Sequence, residues 1–301
     1  MTPTQSTQST QQTQRTQGTR PKVIAAIPCF NTRESIAGIV AGAKKHVDEV
    51  IVIDDGSHDG TAEAAEAAGA VVANHITNRG YGHAIRSCIR AARDNGADIL
   101  ITLDGDGQHN PDEIPQLLEP ILNGEADLVI GSRFLAQSRV ESRESTVNSH
   151  QPSAMSHQRS AVISQPSDST DPTVSTIPIE STDSRLPTPD YRPSTIPKYR
   201  GFGIRVITWL WNLGSKVKVS DAQSGFRAYN RNILENLSLS EDGMSVSIES
   251  LEMARRQGVT IKETPITCAY TPKGLHWKAI RHGLGVALSV MKIRAKNILR
   301  F

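Results

Sequence analysis

Short apolar runs alternate with helix-length amphipathic segments through the first half of this chain, and two of those runs stop directly at aspartates. Residues 22–28 (KVIAAIP) are apolar almost throughout, as a parallel strand buried on both faces must be. Residues 33–46 follow with Ile36, Ile39, Val40 and Ala43 at helical spacing. A second run, 50–53, ends at Asp54-Asp55-Gly56, and residues 59–68 read as an Ala/Glu helix closed by Gly69. A third strand over 70–73 and a helix over 81–94 lead to a fourth strand, 98–103, which runs into Asp104-Gly105-Asp106. Pro111 opens another helix at its favoured first position, and 127–130 is the next strand. Strand, helix, strand in this rhythm requires right-handed crossovers onto a parallel sheet. The fold class is therefore α/β: a Rossmann-like, mostly parallel sheet flanked by helices. Further on, the pattern predicts a helix near 203–213 and a turn-rich stretch through Ser224–Arg227. A helix near 247–257, a strand over 259–264 and a last helix over 275–299 complete it.

Composition divides the chain. Residues 1–21 are mostly Thr, Gln and Ser, and in 137–196 Ser, Thr and Pro make up 28 of 60 residues with Tyr191 the only aromatic. Neither tract can bury enough apolar surface to offset ordering entropy, so both are expected to be disordered. The ordered part is then one domain in two halves, 22–136 and 197–274, followed by the helix at 275–301. The net charge of +2 argues against nucleic acid as a partner. Three scattered cysteines, Cys29, Cys88 and Cys268, form neither a disulfide framework nor a zinc cluster, which suits a reducing cytoplasm. No apolar run reaches the roughly 18 residues that cross a bilayer.

Ligands of open α/β sheets sit beyond the carboxyl ends of the strands, where both acidic clusters fall. Asp104 and Asp106, separated only by Gly105, can aim carboxylate oxygens at one Mg²⁺ or Mn²⁺ bridging to substrate phosphates. Gln108 could add a neutral oxygen. Asp59 and Asp112 read first as helix caps. No G-x-x-x-x-G-K-[ST] loop is present, and IPCFN (27–31) replaces the glycine-rich turn of a dinucleotide dehydrogenase or nucleotidyltransferase.

IPCFN, IVIDDGSHDGT (51–61), NRGYGHA (78–84), LDGDGQHNPDEI (103–114), DLVIGSRF (127–134) and VSDAQSGFRAY (219–229) occur in that order. Together they resemble family 2 glycosyltransferases of the GT-A fold, in the branch that makes dolichyl-phosphate hexoses, glucose or mannose, in archaea. The resemblance spans about 22–136 and 197–295. It implies that Pro28, Phe30, Ile53 and Asp55 bind the donor's base and ribose. It also implies that Asp104, Asp106 and Gln108 hold the metal on the diphosphate, and that Arg133 lies near the phosphates. Arg200, Arg205 and Arg227 match positions arranged for the acceptor phosphate, which suits the rigid fork of arginine. The family's P-x-Y-N-E reads Pro-Cys-Phe-Asn-Thr here, with Glu34 two residues later, so the family's glutamate has no direct counterpart.

The resemblance implies an inverting transfer of a hexose, expected to be glucose from UDP-glucose, onto dolichyl phosphate for protein N-glycosylation of surface-layer proteins. Asp106 and Arg133 would stabilise the departing diphosphate. An acceptor phosphate is already ionised, whereas a sugar hydroxyl would need a base, for which Asp221 is the candidate. GDP-mannose as donor, a hydroxyl acceptor, and an inactive nucleotide-binding scaffold are the alternatives. The helix at 275–299 carries Trp277, Ile280, Leu284 and Met291 beside Lys278, Lys292 and Lys296. It suits either an anionic membrane surface or packing on the core. Peripheral attachment to the cytoplasmic face of the membrane follows, with room for a membrane-protein partner.

Overall fold

The computed structural model describes residues 20–135, 196–270 and 288. Most of the tracts at 1–21 and 137–196, and all but Leu288 of the helix expected at 275–301, lie outside the described residues. Three residues assigned to those tracts, Arg20, Pro21 and Ile196, are inside: Arg20 pairs with Asp48 at 3.3 Å, and Ile196 is buried.

Seven strands form one sheet in the order β3-β2-β1-β4-β6-β5-β7. These are β1 (Val23–Cys29), β2 (Glu49–Asp54), β3 (Val71–Asn74), β4 (Ile99–Thr102), β5 (Leu128–Ser132), β6 (Arg227–Asn230) and β7 (Ile261–Pro265). All neighbouring pairs are parallel except the two made by β6, which runs antiparallel between β4 and β5. The α/β, mostly parallel expectation holds, and β6 is the element it missed. Its four residues, RAYN, open with an arginine and carry no apolar alternation.

Helices α1 (Arg33–Ala43), α2 (Thr61–Ala67), α3 (Tyr81–Asp94), α4 (Ile114–Leu122), α5 (Lys198–Asn212), α6 (Arg231–Asn236) and α7 (Val246–Arg256) cover the sheet. In α1 the buried residues are Ile36, Ile39, Val40 and Ala43, the stripe the spacing predicts. Each large side chain there removes apolar area worth roughly 1.5–3 kcal/mol from water. The sheet's two faces carry separate cores. One gathers Ile24, Ile51, Cys88 and Trp211, the other Ile27, Ile36, Ile101 and Phe226. Pro111 starts a 3-10 turn, Pro111–Glu113, capped by the Asn110 side chain, and α4 follows it.

Parallel packing brings the carboxyl ends of β1, β2 and β4 to one edge. The loops there are tied together. Asn31, after β1, sits at φ 52°, a left-handed conformation asparagine tolerates better than most residues. Its N–H donates to Ser57 Oγ at 2.8 Å, and its side-chain oxygen accepts from the His58 N–H at 3.1 Å. Asp59 accepts from the Thr61 N–H at 3.0 Å and from the Arg33 N–H at 3.1 Å. It thus serves the starts of both α2 and α1, a wider form of the capping role expected of it.

Candidate active site

Asp104 and Asp106 follow β4 at this edge. Asp104 Oδ1 accepts from the Tyr81 hydroxyl at 3.0 Å. Gly225 leaves room for the arrangement: a Cβ there would lie 2.8 and 2.9 Å from the two Asp104 carboxylate oxygens and 2.7 Å from the Tyr81 oxygen. A Cβ at Gly105 would lie 2.9 Å from Cys29 Cβ, so the residue between the aspartates has to be small. Asp106 accepts from the Gln108 main-chain N–H at 3.1 Å and from its side-chain amide at 2.5 Å.

The electrostatics of the pair are unbalanced. Desolvation pushes the Asp104 carboxyl up, against the Tyr81 hydrogen bond and the charges of Arg133, Arg200 and Arg227. Asp106 is pushed up by desolvation and then by Asp104 itself. A nitrogen base, His109, stands beside the pair, with Nδ1 3.7 Å from Asp104 Oδ2. Its ring is buried, which pushes it down to about 4, so it is neutral at pH 7. Among the described residues neither aspartate has a Lys or Arg within ion-pair distance. That is a setting a divalent cation fits: two hard oxygen donors with uncompensated charge.

Arg133 lies at the end of β5, buried against Asp221. Its Nε and Nη2 donate to the two Asp221 oxygens at 2.6 and 2.8 Å. Burial alone would push the guanidinium down, but the Asp221 charge outweighs it and holds Arg133 firmly protonated. Glu263 on β7 fixes the Asp221 segment by accepting from the main-chain N–H groups of Ser220 and Asp221 at 2.7 and 3.0 Å. Arg200 lies over the Tyr270 ring at 5.2 Å, and Arg205 over Phe134 at 5.2 Å.

Several expected roles change on this geometry. Asp221 is fully buried with both oxygens on Arg133, so it orients that arginine and is not a free base. Arg227 is 1% exposed and donates to the carbonyls of Ser224, Ser247 and Ala222 and to Ser250 Oγ. Its fork braces the interior behind Asp104 and is not offered to an acceptor. The Ile53 side chain belongs to the core. Gln108 gives its amide N–H to Asp106, and its oxygen faces Cys268 Sγ at 4.0 Å, so it orients Asp106 rather than adding an oxygen beside it.

Asp55 is also more occupied than expected. One of its oxygens accepts from the Arg79 N–H at 3.0 Å and the other from the Gly80 N–H at 2.8 Å. His75 Nδ1 stands 2.6 Å from Asp55, and His75 Nε2 stands 2.9 Å from Ser87 Oγ. A carboxylate can only accept, so Nδ1 carries a proton. Asp55 therefore shapes the loop that starts α3. Pro28 is buried, while Phe30 is 44% exposed at the crevice rim. Sequence reasoning passed over Tyr81, Glu263 and His75. Only Tyr81 sat inside a quoted motif.

Comparison with known proteins defines the class. The model of glycosyl transferase family 2 matches residues 24–174, half of the chain, and the chain belongs to that family. It is a glycosyltransferase, and its sheet is that of the GT-A fold. It is similar to an uncharacterized protein of Methanocaldococcus jannaschii, 27% identical over 255 residues that cover 84% of this chain and 83% of the relative. It is likewise similar to the UDP-N-acetylglucosamine–dolichyl-phosphate N-acetylglucosaminyltransferase of Methanococcus voltae. That relative is 27% identical over 265 residues, covering 81% of this chain and 84% of the other. Among solved structures, glucosyl-3-phosphoglycerate synthase of Mycobacterium tuberculosis, in complex with Mn²⁺, UDP and glucosyl-3-phosphoglycerate, shares the fold. It has a TM-score of 0.57 and 19% identity, covering 90% of this chain and 80% of that one.

Proposed function

We propose that this protein transfers a hexose, glucose carried by UDP, to dolichyl phosphate, giving a lipid-linked sugar for protein N-glycosylation. The observation that carries the reading is one crevice holding two carboxylates that have no Lys or Arg at ion-pair distance among the described residues, yet feel the charges of Arg133 and Arg200. The carboxylates suit a diphosphate held through Mg²⁺ or Mn²⁺, and the arginines suit phosphate directly. Polyprenyl phosphate as acceptor is supported by the Methanococcus voltae relative, whose substrate is dolichyl phosphate.

Asp104 and Asp106 would hold the cation. Among the described residues no three His, Cys, Asp or Glu converge, so diphosphate and water would complete its shell. When bound, the cation offsets the negative charge that grows on the departing diphosphate. Tyr81 and Gly225 keep Asp104 in place for that task. Arg133, held charged and oriented by Asp221, faces the same growing charge without reorganising. The acceptor phosphate attacks the anomeric carbon from the opposite side, with inversion. Because it is ionised at neutral pH it requires no base, which agrees with an Asp221 locked in an ion pair. A sugar-hydroxyl acceptor is disfavoured on the same ground.

No helix among the described residues is long and apolar enough to cross a membrane. We place the protein peripherally on the cytoplasmic face of the cell membrane. A second reading, N-acetylglucosamine as the transferred sugar, is favoured by the Methanococcus voltae relative's donor. The test is a transfer assay with dolichyl phosphate, Mg²⁺ or Mn²⁺, and labelled UDP-glucose, UDP-N-acetylglucosamine or GDP-mannose in parallel. EDTA-sensitive label entering the organic phase from UDP-glucose is the expected result. Label from another donor corrects the sugar, and label from none overturns the acceptor.

A further inference from the structure

The outer face of α5 has a composition that the catalytic reading does not use. The helix buries Ile204, Ile207 and Trp211 against the domain. On its other side Tyr199, Phe202, Val206, Trp209 and Leu213 follow one another at spacings of three and four, which puts them in one row along the helix. Phe202 is 71% exposed, Trp209 60%, and Tyr199 and Leu213 are exposed as well. A row of large apolar and aromatic side chains facing water marks an interaction surface.

We propose that this row is the face on which the protein sits on an anionic lipid bilayer, and this proposal rests on the polyprenyl-phosphate reading for its purpose. Charge selects the occupant. Residues 197–220 contain Lys198, Arg200, Arg205, Lys216 and Lys218 and no aspartate or glutamate. An amphipathic helix with aromatic side chains on one face and bases around them binds in the headgroup region, and anionic lipid strengthens it. Trp and Tyr suit that depth, since each has an apolar body and a polar edge.

Position agrees with the chemistry. Arg200, in the first turn of α5, lies over the Tyr270 ring, and its charge acts on both Asp104 and Asp106. The row therefore begins beside the crevice. A bilayer against it would present a phosphate headgroup next to the arginines while the isoprenoid tail stays in lipid.

The experiment uses the full chain and vesicles without any polyprenyl phosphate, so its outcome is independent of the transfer assay. Wild type and the double variant Phe202→Ser, Trp209→Ser are sedimented with vesicles of phosphatidylglycerol and phosphatidylcholine, and with phosphatidylcholine alone. The expected result is binding to the anionic vesicles, weakened by salt, and at least tenfold weaker in the variant. Thermal unfolding and UDP binding should be unchanged, since both side chains are exposed and neither is among the residues assigned to the donor. A variant that sediments as wild type does overturns the proposal. So does a wild type that ignores anionic vesicles, or one that forms a dimer which the variant dissolves.

Discussion

Arg133 and Asp221, 88 residues apart in sequence, meet as a buried two-bonded ion pair, with Nε–Oδ2 at 2.6 Å and Nη2–Oδ1 at 2.8 Å. The pair joins the end of β5 to the segment before β6, and Glu263 holds that segment from β7. Removing one partner strands the other charge in the interior. Asp221→Ala is expected to lose about 3–5 kcal/mol of stability together with turnover. The double variant Arg133→Met, Asp221→Leu should regain much of the stability and none of the activity. Urea unfolding of the three proteins, beside the transfer assay, checks both halves. An Asp221→Ala protein as stable as wild type would show that the pair carries no structural load.

Tyr81 and Gly225 act on Asp104 from two sides, one by a hydrogen bond and one by making room. Tyr81→Phe removes a bond to a charged group, worth about 1.5–3 kcal/mol. The expected result is a rise of roughly tenfold or more in the Mn²⁺ concentration for half-maximal turnover, with little change at saturating metal. Gly225→Ala forces the carboxylate to move, so saturating metal should not restore it. Metal titrations of the two variants separate these outcomes.

Cys29 is buried beside Asp54, and burial first, then that charge, pushes its thiol up to about 12 from an ordinary 9.0. The folded protein therefore keeps a proton that the unfolded chain gives up above pH 9. Its contribution to stability is complete below pH 9 and is lost as pH rises toward 12, at about 1.4 kcal/mol per pH unit. Unfolding of wild type and Cys29→Ala across that range should show the steeper decline in wild type. The native thiol should also resist iodoacetamide at pH 8, because the thiolate is the reactive form.

Local pattern made much of this fold legible. The buried stripe of α1 and both ends of α3 follow from apolar spacing and from Gly80 and Gly96, which flank α3 with positive φ. The aspartates after β4 were legible as a site because they stand at a strand's carboxyl end. What escaped depends on distant partners. Arg227 has the look of a surface residue. It is buried because carbonyls from Ala222, Ser224 and Ser247 converge on its fork, and no spacing in the sequence announces that. Asp221 has the look of a turn residue until Arg133 arrives from another strand. The helix α5 begins before the stretch near 203 that the spacing predicts, because Gly201 and Gly203 weaken the helical signal there while the buried Ile204, with Ile196 just ahead of the helix, anchors it.

Asp55 connects β2 to the loop that opens α3, and the donor's base and ribose are expected at this edge. Its carboxylate accepts from Arg79, Gly80 and His75, so it is the hub on which residues 78–80 are shaped. Asp55→Asn keeps the size but offers one acceptor oxygen where three donors need two. Part of the loop is then released, and the two broken or weakened bonds amount to a loss of about 1.5–3 kcal/mol in ordering the donor site. The donor KM should rise between about tenfold and a hundredfold, with the acceptor KM unmoved. His75→Gln, which retains a side-chain donor, should show a smaller rise in the same constant. Steady-state kinetics with each substrate varied in turn checks this. Equal rises in both constants would mean that the loop serves the whole crevice and not the donor alone.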